Sequence, residues 1–175
     1  MLALLVFFAW LGLASAEMTL LETKEVLSQA DQQDLRKIAT GLKQAILKED
    51  IEGILRHVDR QYGLTCTDTG IPYRQVRKDL YNKSSHLHLS LFDTARFAER
   101  CSNEYPSEYP AISDKEFFSK ATNETIEISP IEKDWAKVTF RSSVKGHFPR
   151  EWFFHKAGWE WKLTNGFIIS RCSCG

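Results

Sequence analysis

A surplus of charge of either sign is what this sequence most clearly lacks: Lys and Arg number 23, Asp and Glu number 23, and the formal net charge is zero. Nucleic acids and anionic membranes are held by a surplus of Lys and Arg, so neither is expected as the main partner. Glycine-rich phosphate loops and nucleophile elbows are also missing, as is any pair of carboxylates set on one defined element. No cofactor is therefore expected, and a binding role is preferred to an enzymatic one. No apolar run reaches the roughly 20 residues that span a bilayer. The run from Leu2 to Leu13 is shorter, and Ala14-Ser15-Ala16 after it forms a small-x-small cleavage signal. Acidic Glu17 and Glu22 follow rather than a basic stop-transfer flank.

These features predict a signal peptide over residues 1–16, although its usual basic n-region is absent, and one α+β domain over 17–175. The protein is expected to be secreted or periplasmic, with no stable membrane anchor. Two sequons, Asn82-Lys83-Ser84 and Asn123-Glu124-Thr125, would accept glycans in a eukaryotic secretory route.

From Asp31 the pattern turns helical: Leu35, Ile38, Leu42, Ala45 and Ile46 recur at steps of three and four, with Asp31 placed as a cap. Asp50 reads as a second cap, before a short helix carrying Ile51, Ile54, Leu55 and Val58. A leading helix is expected over 19–30. The stretch from Thr67 to Gly70 reads as a turn and Pro72 as the first turn of a helix that runs to about Asn82. His86 to Leu91 alternates strictly, which predicts a strand with leucines on one face and His86, His88 and Ser90 on the other. Asp93 is placed to cap a helical piece reaching Cys101. The prolines of SNEYPSEYPAIS make that segment a surface loop.

The remainder is rich in strand signals: 125–129, 136–142, 151–156, 159–164 and 167–171, with turns between them. Helices first and an antiparallel meander last predict amino-terminal helices packed on one face of a curved sheet. The stretch EWFFHKAGWEWKL tests this. With Ala157-Gly158 as a two-residue loop, Phe154 faces Trp161 and His155 faces Glu160. Trp152, Phe154, Trp159, Trp161 and Leu163 then share one face, while Glu151, Phe153, His155, Glu160 and Lys162 share the other. Ala136, Val138 and Phe140 extend the apolar face, so most of these rings are expected in the core.

Two amino-terminal helices, a helix leading into a strand, and a closing hairpin FFHKAGWEWKL together resemble the nuclear transport factor 2-like, cystatin-like superfamily of cone-shaped α+β domains, over about residues 31–171. The resemblance implies a cone that is a plain core, a ligand pocket, or the site of an isomerase, cyclase or dehydratase. Between 63 and 92 the sequence departs from the family pattern, a helix standing in place of a simple first hairpin.

Phe140, Trp152, Phe154 and Trp161 are the candidate pocket wall. No catalytic residue is assigned; Asp93 is the candidate general base of an isomerase-like alternative, as the resemblance implies, against its simpler role as a cap. His86 and His88 are expected to face solvent rather than a metal, since no third ligand is placed beside them. His155 and Glu160 are expected to form a surface pair. Three readings of function follow: an exported, non-enzymatic domain that binds a small apolar ligand or a protein partner; a cone-type lyase or isomerase using Asp93 or a histidine; and a thiol-disulfide protein using Cys172 and Cys174.

Cys66, Cys101, Cys172 and Cys174 form an even set, which after a signal peptide predicts disulfides. Joining Cys172 to Cys174 would close a very short, distorted ring, so each is expected to reach outward, to Cys66 and Cys101 in either order. Such bonds would stabilise by roughly 2 to 4 kcal/mol each. Non-reducing peptide mapping should recover the carboxyl-terminal peptide linked to both, whereas a Cys66 peptide linked to a Cys101 peptide would contradict this pairing.

Overall fold

The computed structural model describes residues 26–66, 69–101, 111–144 and 148–166. Helix α1 (Gln29–Leu47) is capped by Ser28, whose side chain accepts from the Asp31 N–H, and buries Leu35, Ala39, Leu42, Ala45 and Ile46. The cap thus lies three residues before Asp31, which leaves that carboxylate free for another task. Asp50 caps α2 (Ile51–Leu55) as expected, accepting from the Gly53 N–H. A short antiparallel hairpin, β1 (Leu64–Cys66) and β2 (Thr69–Ile71), precedes α3 (Tyr73–Tyr81). Between 63 and 92 the chain thus carries a hairpin followed by helices, rather than a helix in place of a hairpin. Gly63 at φ +67 permits the hairpin, because a Cβ there would collide with the backbone of Ile71.

His86 to Leu91 is not a strand but most of α4 (His86–Phe92), capped by the Ser85 side chain. Its leucines alternate because this short helix is buried on two sides. Leu87 and Leu91, four apart on one face, join the main core, and Leu89 packs in a second cluster with Phe97, Cys101 and Ala111. Asp93 does what its sequence position suggests: it accepts from the Arg96 N–H at the start of α5 (Thr94–Cys101). Helix α6 (Asp114–Lys120) then leads into the sheet. The expected leading helix is absent over 26–28, and the rest of it lies outside the described residues, as do most of the proline loop and the strand expected over 167–171.

Four strands form an antiparallel meander in the order β3 (Thr125–Glu132), β4 (Trp135–Arg141), β5 (Arg150–Ala157), β6 (Glu160–Asn165). Strand β3 runs on past Pro130, which its edge position allows because no ladder bond is needed from that nitrogen. The far side of β6 is covered by the chain after α2, where Val58 pairs with Leu163, and by β1, where the Thr65 hydroxyl donates to the Thr164 carbonyl. The fold is α+β, with the amino-terminal helices on one face of the antiparallel sheet.

The register of β5 and β6 differs from the expected one by two residues. Phe154 faces Leu163, His155 faces Lys162, Ala157 faces Glu160, and the loop is Gly158-Trp159. Gly158 takes φ +66 at the first loop position, the geometry a type II′ turn asks of glycine. The other loop would have required Ala157 to adopt a left-handed backbone. A slip of two preserves the face of every side chain, so Ala136, Val138, Phe140, Trp152, Phe154, Trp161 and Leu163 are all buried. Trp159 is the exception: placed in the turn, it is 85% exposed.

Phe118 of α6 stacks edge-on against Phe140 and Trp152 at 5.1 and 5.5 Å. Trp161 is only 2% exposed, and its indole N–H donates to Asp31 Oδ1 at 3.0 Å. Trp161→Ala should therefore cost about 3 to 5 kcal/mol of unfolding free energy. Trp161→Phe, which mainly loses the hydrogen bond, should cost about 1 kcal/mol. Denaturant unfolding measures both; an alanine variant with wild-type stability would contradict the core position.

Candidate functional site

Along β5 the inward row reads Arg150, Trp152, Phe154, Lys156, two rings flanked by two cations. Each cation meets a carboxylate in the first turn of a helix that covers the sheet. Lys156 Nζ lies 2.6 Å from Asp31 of α1, and Arg150 Nε lies 2.8 Å from Asp114 of α6. Helix N-termini favour such carboxylates. The two pairs close opposite ends of the apolar face, and their environments differ. The Lys156 hydrogen bond, with help from Ser28 and Trp161, holds the Asp31 carboxyl down to about 2 against partial burial. Complete burial pushes the Asp114 carboxyl up to about 6 despite Arg150. Arg150 also donates to the Ile112 carbonyl and lies over the Phe117 ring.

Alternating strand directions bring the β3–β4 and β5–β6 turns to the end of the sheet where α1 begins. The Lys156 N–H donates to the Asp134 carbonyl there at 2.8 Å. A cleft of about 320 Å³ opens between these elements, lined among others by Leu27, Pro130, Glu132, Lys156 and Trp161. Val26, at 84% exposure, also lines it, while Ile131 at 51% and Trp159 at 85% project from the two strand-turn regions at this end. Large apolar side chains exposed singly are ordinary; three gathered at one end of a sheet are less so.

The outer face of the same end holds a different group. Asp59 is 2% exposed, and its Oδ1 accepts from the N–H groups of Gln61 and Tyr62. Its Oδ2 lies 4.0 Å from His155 Nδ1, too far for a hydrogen bond, and neither atom has a hydrogen-bond partner among the described residues. The imidazole packs against the Trp135 ring at 4.7 Å and the Tyr62 ring at 5.5 Å. His155 thus neighbours Trp135 and Lys162 rather than Glu160; Glu160 pairs instead with Lys162, which lowers its pKa.

Of the candidate pocket residues, Phe140, Trp152 and Phe154 are 0% exposed within the core, while Trp161 lines the cleft described above. Asp93 is a helix cap away from both groups. His86 and His88, two apart on a helix, do not share a face. They are half-buried rather than solvent-facing: His86 lies against Phe97, and His88 Nδ1 is 2.7 Å from the Leu80 carbonyl. Among the described residues no group of three or more His, Cys, Asp or Glu could hold a metal ion, and no helix is long and apolar enough to cross a membrane. Cys101 is buried and disulfide-bonded; the side chains of Cys66, Cys172 and Cys174 lie outside the described residues.

Sequence reasoning missed Asp31 as a tie to the sheet, the Asp59–His155 group, and the exposure of Trp159. Only the last had a local signal, a glycine suited to the first position of a two-residue turn. No protein-family model, curated protein or solved structure matches the chain.

The two helix-start carboxylates predict opposite pH effects. Asp31, lowered from 3.8 to about 2, contributes stability above its unfolded value that is lost as pH falls from about 4 to 2. Asp114, raised from 3.8 to about 6, contributes stability that is fully present below about 4 and is lost as pH rises through 6. Thermal melts across this range should show the wild-type advantage over Asp31→Asn shrinking below pH 4, and the wild-type difference from Asp114→Asn shifting against the wild type between pH 4 and 6. Parallel curves would contradict both assignments.

Proposed function

We propose that this chain is an exported, non-enzymatic domain of the nuclear transport factor 2-like cone type that docks a protein partner at the hairpin end of its sheet. One observation carries the proposal: Trp159 stands 85% exposed at the tip of the β5–β6 turn, at the end where Ile131 and Val26 are also exposed and the cleft above Trp161 opens. Aromatic residues of this kind dominate protein interfaces because they bury a large apolar area at little conformational cost. The cleft carries Asp31, Glu132 and Asp134 against Lys133 and Lys156, so the fitting partner segment presents an apolar side chain beside Lys or Arg. A protein is preferred to a small apolar ligand because Phe140, Trp152 and Phe154 are occupied in packing. The leader-like residues 1–16 support export, and the helices laid over a closing meander support the cone assignment. The buried, bonded Cys101 supports structural use of the cysteines.

A second reading rests on Asp59 and His155. This reading requires the 4.0 Å gap between the Asp59 carboxylate and His155 Nδ1 to close to hydrogen-bond distance when a substrate binds, so that the carboxylate orients the imidazole for acid/base work at Nε2. It replaces Asp93 as the enzymatic alternative, since the Asp93 carboxylate serves a helix start.

Native mass spectrometry of the protein purified from its exporting cells tests the proposal. A protein complex is expected that Trp159→Ala abolishes while stability stays within about 0.5 kcal/mol of wild type, and that His155→Ala leaves intact. A stoichiometric small apolar ligand in place of a protein, or a complex indifferent to Trp159→Ala, would contradict it.

A further inference from the structure

We infer that both asparagines of the two sequons carry N-linked glycans, and that these sit at the end of the molecule opposite the docking end and leave it bare. The inference rests on the export part of the proposed function, taken through a eukaryotic secretory route.

The placement follows from the elements. Asn123 is exposed and stands two residues before β3, whose eight residues run toward the hairpin end. At roughly 3.3 Å per residue the strand alone separates it from the β3–β4 turn by about 25 Å. Its φ of +49 is one that asparagine tolerates. The next residue, Glu124, is tied to Lys43 of α1 at 2.8 Å, so the sequon is held against the carboxyl-terminal part of that helix. Asn82 reaches the same end by another path. Tyr81 donates to Glu52 at 2.7 Å, and Glu52 belongs to α2, which begins four residues after α1 ends. Since α1 has 19 residues, about 28 Å of helix, its last turn is far from the Asp31 and Lys156 pair that marks the hairpin end.

The local geometry at Asn82 suits the modification. Its Oδ1 accepts from the Ser84 N–H at 3.0 Å, joining the first and third residues of the sequon. The Asn82 Nδ2 has no hydrogen-bond partner among the described residues. Arg96 and Arg100 hold the carbonyls of Lys83 and Ser84, so the loop is fixed while Asn82 itself stays exposed. A glycan at either asparagine displaces no buried contact, which is the condition a folded glycoprotein has to meet. In the transfer, the side-chain nitrogen forms a bond to the anomeric carbon of a polyprenyl-diphosphate-linked oligosaccharide. The bond from that carbon to the diphosphate oxygen breaks, the diphosphate leaves with the electron pair, and the amide nitrogen gives up one proton to a base.

The test is expression of the full chain in a eukaryotic secretory line, followed by digestion with peptide-N-glycosidase and peptide mass spectrometry. The expected result is a secreted chain whose gel mobility increases on digestion, with aspartate left at both positions. Asn82→Gln and Asn123→Gln should each remove one step of the shift. Ser84→Ala and Thr125→Ala should do the same with the asparagines intact, and Ser84→Thr should retain its glycan. A secreted chain unmodified at one or both asparagines would overturn the inference and leave the export reading standing. A chain retained in the cytosol would overturn both. The bare docking end has its own readout: enzymatic removal of the glycans should leave the amount of partner complex unchanged, and a loss or gain would contradict the assigned placement.

Discussion

One face of the β-meander has to be kept from water, and two ion pairs decide how it is covered. Trp152 and Phe154 lie in the middle of the inward row of β5, and Arg150 and Lys156 lie at its ends. Apolar burial is strong but has no direction; it would accept a covering helix at many angles. A buried or half-buried cation without a carboxylate is costly, and that cost selects the arrangement in which α1 brings Asp31 to Lys156 and α6 brings Asp114 to Arg150. Once these are set, the rings of α6 meet Phe140 and Trp152, and the inner row of α1 closes over the sheet.

The same arrangement accounts for where function is proposed. The five rings between residues 151 and 163 divide by position: Trp152, Phe154 and Trp161 are buried on the inner face, Phe153 is half-buried on the outer face, and Trp159 escapes into solvent because the turn takes it. The buried rings are the wall of a core. The one that escapes stands beside an open cleft at the end of the sheet where α1 begins. The Asp59 and His155 group, a few residues away on the outer face, remains chemically distinct because its buried carboxylate oxygen has no hydrogen bond to hold it among the described residues.

Much of this was legible from residue patterns, and the failures have physical causes. The apolar face of the hairpin was readable although its register was not, because side-chain direction depends on parity and the error was two residues. Asp50 and Asp93 were readable as caps because a cap is a local bond. His86 to Leu91 misled because a short helix buried on two sides carries leucines at odd spacings, and only the neighbouring elements distinguish it from a strand. Asp31 was read as a cap three residues too late, since Ser28 and Asp31 are both good capping residues and the sheet, far along the chain, decides between them. The partnership of Asp59 with His155 joins residues too distant in sequence for any spacing rule.

The most direct measurement is site-specific photo-crosslinking in the exporting cell, with a photoreactive aromatic residue placed at position 159 in one chain and at position 127, on the exposed outer face of β3, in another. The account predicts a covalent adduct with one partner protein from position 159 and none from position 127. Equal adducts from both positions, or none from 159 while the complex survives, would contradict docking at the hairpin end.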